Sequence, residues 1–189
     1  MRSPVRSIVL QAAFAVACAL PAAAQAGPQA GSLSADLLAD VADVEKKLVD
    51  LARAIPAEKY DWRPGTGVRS VNDVVLHVAA DNYLIPAALG FTPDAATGIK
   101  GDDYKTAMAF EQRKMSKDAA IAELEKSFAF LKQSLQSTTP AKMGDQVKLF
   151  GQPFTMQRAW ILGTTHLHEH LGQLIAYART NGVKPPWSR

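Results

Sequence analysis

Cysteine is nearly absent: the 189-residue chain has one, Cys18. A disulfide framework and a cysteine-based zinc site within one chain are both excluded, and there is no C-x-x-C-H for haem attachment. Charge of one sign is also lacking. The 21 basic and 18 acidic residues leave a net +3, without the clustered basic face of a nucleic-acid binder. Glycine and proline are too sparse for a disordered or collagen-like chain, so an ordinary globular protein of one domain is expected. Histidine is scarce, but three of the four residues fall within a five-residue window, at 166, 168 and 170. That concentration is the most informative feature of the composition.

The one long apolar run is at the N-terminus. Arg2 and Arg6 precede an uncharged stretch from Ser7 to Leu20, Pro21 breaks it, and Ala24-Gln25-Ala26 follows. This is the pattern of a secretory signal peptide spanning 1–26. The run is shorter than the roughly 20 apolar residues of a membrane span, so no stable membrane insertion is expected. Ala15-Val16-Ala17-Cys18 is a weak lipobox, and lipoprotein anchoring at Cys18 would leave the better A-x-A site unused. Cleavage after Ala26 removes two arginines, no acids and the only cysteine, which takes the net charge from +3 to +1. The expected location is periplasmic or secreted.

Residues 27–189 show helical periodicity. Leu37, Val41, Val44, Leu48, Leu51 and Ile55 recur every three or four residues, after Ser34 as an N-cap and before Pro56 as a stop. Ser70 and Asp73 resemble a capping box ahead of an apolar face of Val71, Val75, Val78, Ile85 and Leu89, with Pro86 kinking or ending that helix. Residues 90–115 read as a polar connection holding a short helix around 104–113. A third stripe, Ile121, Leu124, Phe128, Leu131 and Leu135, opens at Ser116. A small hairpin around 147–154 is shortened by Pro153. The last helix runs from Thr155 to about Asn181, with Gly182 as C-cap. Four amphipathic helices and no central strand imply an all-α four-helix bundle.

His166 and His170 lie four apart, so they share one helix face and can reach one metal ion together. His168 is rotated by about 200° from His166 and should face solvent. His77 sits among Val74, Val78 and Leu84. Alone it would read as a hydrogen-bonded core histidine, but beside the pair on the last helix it completes a three-histidine site. Such a site avoids burying unpaired imidazoles and leaves an open fourth position, as in catalytic centres. His166-x-x-Glu169-His170 also matches the HxxEH pattern of inverzincin peptidases. Those large α/β enzymes draw a carboxylate ligand from far downstream, whereas none of the 19 residues after His170 is acidic.

Further residues border this face. Asp81, four after His77, is placed to accept the second ring N–H of a ligating histidine or to sit in solvent. Gln173 and Tyr177 continue the His166/His170 stripe, as pocket lining or as interhelical packing. Trp62 is expected to pack on the bundle, Arg63 to pair with an acid on a neighbouring helix, and Phe128, Phe130 and Trp160 to be core or near it.

Tyr60-Asp61-Trp62-Arg63-Pro64, Val68-Arg69-Ser70-Val71, His77, His166-x-x-x-His170-x-Gly172-Gln173, Tyr177, Arg179, Asn181-Gly182 and Pro185-Pro186-Trp187 occur in an order and spacing that resemble the DinB/YfiT-like superfamily. The similarity runs from about Leu33 to Ser188. It implies a four-helix bundle with a divalent metal, zinc or nickel, held by His77, His166 and His170. Some relatives are transferases or isomerases that use low-molecular-weight thiols such as bacillithiol, mycothiol or glutathione, with the metal binding the thiolate. Those thiols are mostly cytosolic, and the leader directs this chain elsewhere. The expectation is therefore an exported metal-dependent hydrolase or group transferase acting on a small molecule, with no catalytic residue assigned. The alternatives are a non-catalytic metal- or small-molecule-binding module of the envelope, which an additional protein ligand would favour, and a metal-free structural bundle. No nucleic-acid partner is expected, and a homodimer is left open.

Overall fold

Five α-helices, three short 3-10 helices and one hairpin account for the regular structure of the computed structural model, which describes residues 31–188. The signal-peptide pattern and Cys18 lie outside the described residues. The α-helices are α1 (Leu33–Ala54), α2 (Val71–Ala88), α3 (Tyr104–Glu111), α4 (Lys117–Gln136) and α5 (Met156–Thr180). Strands β1 (Gln146–Leu149) and β2 (Gln152–Thr155) form an antiparallel pair between α4 and α5.

Side-chain caps set most helix starts. Ser70 Oγ accepts from Asp73 N while the Asp73 carboxylate accepts from Ser70 N, completing the expected capping box. Ser116 Oγ and Thr155 Oγ1 cap α4 and α5 by accepting from Ala119 N and Arg158 N, without a reciprocal acid. Helix α1 departs from expectation: its cap is Ser32, whose Oγ accepts from Ala35 N, and Ser34 is buried inside the first turn. Two serines two residues apart satisfy the same sequence rule, and tertiary packing on Ser34 decides between them. Pro56 holds Ile55 in extended backbone, which stops α1. At the other end of the chain Asn181, rather than Gly182, is the C-cap of α5. Gly182 is the following residue, at φ +75°, where the left-handed turn lets Val183 N reach Ala178 O at 2.8 Å.

The long α1–α2 and α4–α5 connections decide the topology. Helices α1 and α2 each pack on both α4 and α5. The order around the bundle is therefore α1–α4–α2–α5, with α1 diagonal to α2 and α4 diagonal to α5. Every residue from Val74 to Pro86 is buried, so α2 is not one-faced as its apolar pattern suggests. It is enclosed by α3, α4 and α5. Two of its polar residues are tied down: Asn82 Nδ2 donates to Ser127 Oγ at 3.0 Å and Tyr83 OH to Glu123 at 2.9 Å. Pro86 sits in the last turn without ending the helix before Ala88.

Two loop features shape what lies beside α2. Gly101 approaches the α2 backbone so closely that a Cβ there would fall 2.2 Å from the Ala87 carbonyl carbon. This contact seats the start of α3. Between β1 and β2 the two-residue turn is Phe150-Gly151, with φ +52° and +74°. Positive φ at both positions is the type I′ pattern, which favours Asn-Gly. A phenylalanine in left-handed backbone costs about 1–2 kcal/mol.

Candidate metal centre

His77 comes from the middle of α2, and His166 and His170 come from successive turns of α5. Because α2 and α5 are neighbours in the ring, the three imidazoles meet in the bundle interior. Their rings are mutually near-perpendicular, with centroids 4.4 to 5.3 Å apart. One nitrogen from each lies within 4.8 Å of those of the others. His166 Nε2 and His170 Nε2 are 3.1 Å apart. Ligand atoms about 2.1 Å from a common ion are spaced about 3.0–3.4 Å from each other, so this pair has the spacing of one coordination edge.

The opposite ring nitrogens all face acceptors. His77 Nδ1 lies 2.7 Å from Glu111 Oε1, His170 Nδ1 2.8 Å from Gln173 Oε1, and His166 Nδ1 3.4 Å from Glu169 Oε2. Gln173 is oriented in turn by donating from Nε2 to Tyr177 OH at 2.9 Å, and Trp62 packs edge-on against Tyr177 at 5.4 Å. Arg69 holds Glu111 Oε2 at 3.2 Å. Acceptors on the outer nitrogens of His77 and His170 favour ring protons there and Nε2 lone pairs turned inward, whereas His166 Nε2 itself faces the Asp81 carboxylate at 2.8 Å. The His77 and His170 arrangement is the one that metal-binding histidines need. The donor chemistry therefore fits a divalent cation.

Asp81 differs from its expected place. It is buried, and its Oδ2 lies on the inner side of the cluster, 2.8 Å from His166 Nε2 and 3.5 Å from His77 Nε2. Its Oδ1 has no hydrogen-bond partner. The carboxylate that accepts the outer N–H of His77 is Glu111, on α3, which sequence reasoning missed. Only a polar connection with a short helix was legible there, and nothing in the 34-residue separation announces the pairing. His168 is exposed, as expected, and meets Asp40 of α1 at 3.0 Å. Arg63 pairs with Asp73 at 3.3 Å. Phe128 and Trp160 are buried in the core.

Electrostatics separates the two histidines of α5. Burial holds the His170 imidazole down to about 4; Gln173 opposes this, and His166 and His77 reinforce it. Burial also acts to lower His166, but the hydrogen bond and charge of Asp81, followed by those of Glu169, outweigh it and leave that imidazole above its usual value. In metal-free protein the signs are opposite. Unfolded His170 takes up a proton near 6.5 that the folded state refuses until about 4, so stability falls with pH across that window. The His166 contribution is present below 6.5 and is lost as pH rises through its elevated folded value. His170 is therefore expected to cost metal-free protein melting temperature as pH falls from 6.5 toward 4. Thermal denaturation in chelator checks this, with a smaller acid loss expected in His170→Ala.

A cavity of ≈ 750 Å³ opens onto the cluster. His77, Asp81 and His166 form its polar end, and Ile85, Leu162, Tyr104 and Phe150 form apolar walls. Its size and its mixture of apolar walls with a few convergent polar groups suit a small-molecule site.

Residues 41–174 match the family model of the DinB superfamily. The chain belongs to the DinB superfamily. Among solved structures, a DinB-like protein from Bacillus cereus has TM-score 0.66 at 16% identity, over 81% of this chain and 95% of that one. A conserved protein from Enterococcus faecalis has TM-score 0.66 at 15% identity, over 79% and 97%. YfiT from Bacillus subtilis, described as a probable metal-dependent hydrolase with an unusual four-helix bundle topology, has TM-score 0.59 at 14% identity, over 83% and 94%. No curated protein matches the sequence. At these identities the likeness carries the DinB bundle fold, and the chemistry has to be argued from the residues of this chain.

Proposed function

We propose that this chain is a metal-dependent hydrolase or group transferase acting on a small molecule, with His77, His166 and His170 as the metal ligands and zinc or nickel as the metal. The observation that carries the reading is the inward convergence of the three imidazoles beside an open cavity. The description of YfiT as a probable metal-dependent hydrolase supports it. A divalent cation held there supplies a Lewis acid that lowers the pKa of water or a thiol. Glu111 and Gln173 keep the rings of His77 and His170 in register. Asp81 Oδ2 is at hand as a further oxygen donor or to take a proton from a nucleophile at the polar end of the cavity. Ile85 and Leu162 form the apolar wall beside it. Export through a cleaved 1–26 leader is part of the proposal and rests on the leader pattern alone.

One observation favours a non-catalytic binding module: Asp81 could close the coordination shell. Cobalt(II) substitution separates the two readings. The purified protein, made without a histidine-rich tag, is expected to take up about one zinc or nickel ion per chain. Its cobalt form is expected to change its visible spectrum when an added thiol or hydroxamate occupies an open position. A metal-loaded form whose spectrum ignores both additives would favour the closed module. No uptake after reconstitution would undo the metal reading.

A further inference from the structure

The mouth of the cavity carries two large aromatic side chains that the bundle does not need. Tyr104 and Phe150 are 45% and 48% exposed, yet they meet edge to face with ring centroids 6.0 Å apart. They come from unrelated parts of the chain. Tyr104 is the first residue of α3, and Phe150 is at the tip of the β1–β2 hairpin. Both line the cavity that ends at His77 and His166. Each is held from below. The turn before α3 is seated by Gly101 against the α2 backbone, and the hairpin is anchored by buried Leu149. Phe150 also occupies a left-handed position that asparagine or glycine would fill without strain. Strained backbone under an exposed aromatic ring at a cavity mouth is an arrangement that folding alone does not require.

We infer that Tyr104 and Phe150 form an aromatic clamp that selects ligands with a flat apolar body behind a metal-binding head. The inference rests on the metal reading above and specifies its substrate class. The head, an oxygen or sulfur donor, enters at the His77 and His166 end of the cavity, where the metal would be held. The body lies along Ile85 and Leu162, and its outer edge packs against the cavity-facing side of the paired rings, where aromatic contacts add to simple burial. The cavity volume of ≈ 750 Å³ accommodates such a molecule. A ligand with the same head and a methyl group in place of the flat body leaves the clamp unfilled.

The test uses two hydroxamates that share a head, benzohydroxamate and acetohydroxamate, titrated calorimetrically into the metal-loaded protein and into Phe150→Gly and Tyr104→Ala. Wild type is expected to bind benzohydroxamate at least about tenfold more tightly than acetohydroxamate, because a fully buried ring contributes that much or more. Phe150→Gly is expected to shrink that preference to below about threefold, with metal content and acetohydroxamate affinity unchanged. Its melting temperature should hold or rise, since glycine suits the turn. Tyr104→Ala should weaken the preference in the same direction. Equal binding of the two probes by wild type overturns the clamp, as does a preference that survives in Phe150→Gly. A lower melting temperature with metal loss in Phe150→Gly also overturns it, by making Phe150 a structural residue. Metal-loaded protein that binds neither probe rejects the clamp and leaves the metal centre standing, whereas protein that takes up no metal rejects the metal reading itself.

Discussion

His170→Ala is expected to take the protein from about one bound divalent cation per chain to none. His170 is the most specialised of the three histidines. It is buried and kept neutral to about pH 4, and its Nδ1 is held by Gln173 so that Nε2 faces His166. Metal-loaded wild type should gain about 4 kcal/mol when free metal is about 1,000 times the dissociation constant. For a domain of this size that is a rise of about 8–16 °C in melting temperature. The variant should show no metal-dependent rise, while its metal-free form keeps the helical circular dichroism of the wild type. His168→Ala is the matched control: its side chain is exposed and meets only Asp40, so both metal content and the thermal gain should persist. Elemental analysis and thermal denaturation with and without zinc or nickel measure both quantities. Equal metal content in wild type and His170→Ala would remove this histidine from the centre.

Gly101→Ala is expected to destabilise the fold by at least about 3 kcal/mol, a loss of about 6–12 °C in melting temperature. The added Cβ would lie 2.2, 2.3 and 2.4 Å from the Ala87 carbonyl carbon, the Ala87 oxygen and the Ala88 nitrogen. All three are backbone atoms of α2, so no side chain can rotate away. The turn must lift off α2 and carry α3 with it. That helix brings Glu111 to His77 and Tyr104 to the cavity mouth, so metal affinity should fall together with stability. Gly144→Ala offers a contrast, because its Cβ would meet nothing within 4 Å, and its effect should stay within about 0.5 kcal/mol. A Gly101→Ala protein that melts with the wild type would mean that α2 and α3 can separate freely there.

The local rules served where the relevant contacts are near in sequence. The capping box at Ser70 and Asp73, the start of α4 at Ser116 and the two-histidine face of α5 each depend on residues within four positions. The cap of α1 moved from Ser34 to Ser32 because the same local rule accepts either serine. Asp81, four residues after His77, was expected either to accept the outer N–H of a ligating histidine or to sit in solvent; its carboxylate instead turns inward to His166, and Glu111 takes the outer nitrogen of His77. Helical spacing places His77 and Asp81 on one face without saying which side of the ring the carboxylate meets. Glu111 reaches His77 only because the Gly101 turn folds α3 back onto α2.

The sequence by itself determined the helical class, most helix limits and the His166/His170 pair, since periodicity, capping and i, i+4 spacing are properties of neighbouring residues. Only the tertiary structure decided the diagonal order of the helices, the burial of α2 on all sides, the inward turn of Asp81 and the meeting of Tyr104 with Phe150. Each of those depends on how long connections return in space, and their end-to-end geometry is set by packing between distant segments rather than by any local pattern.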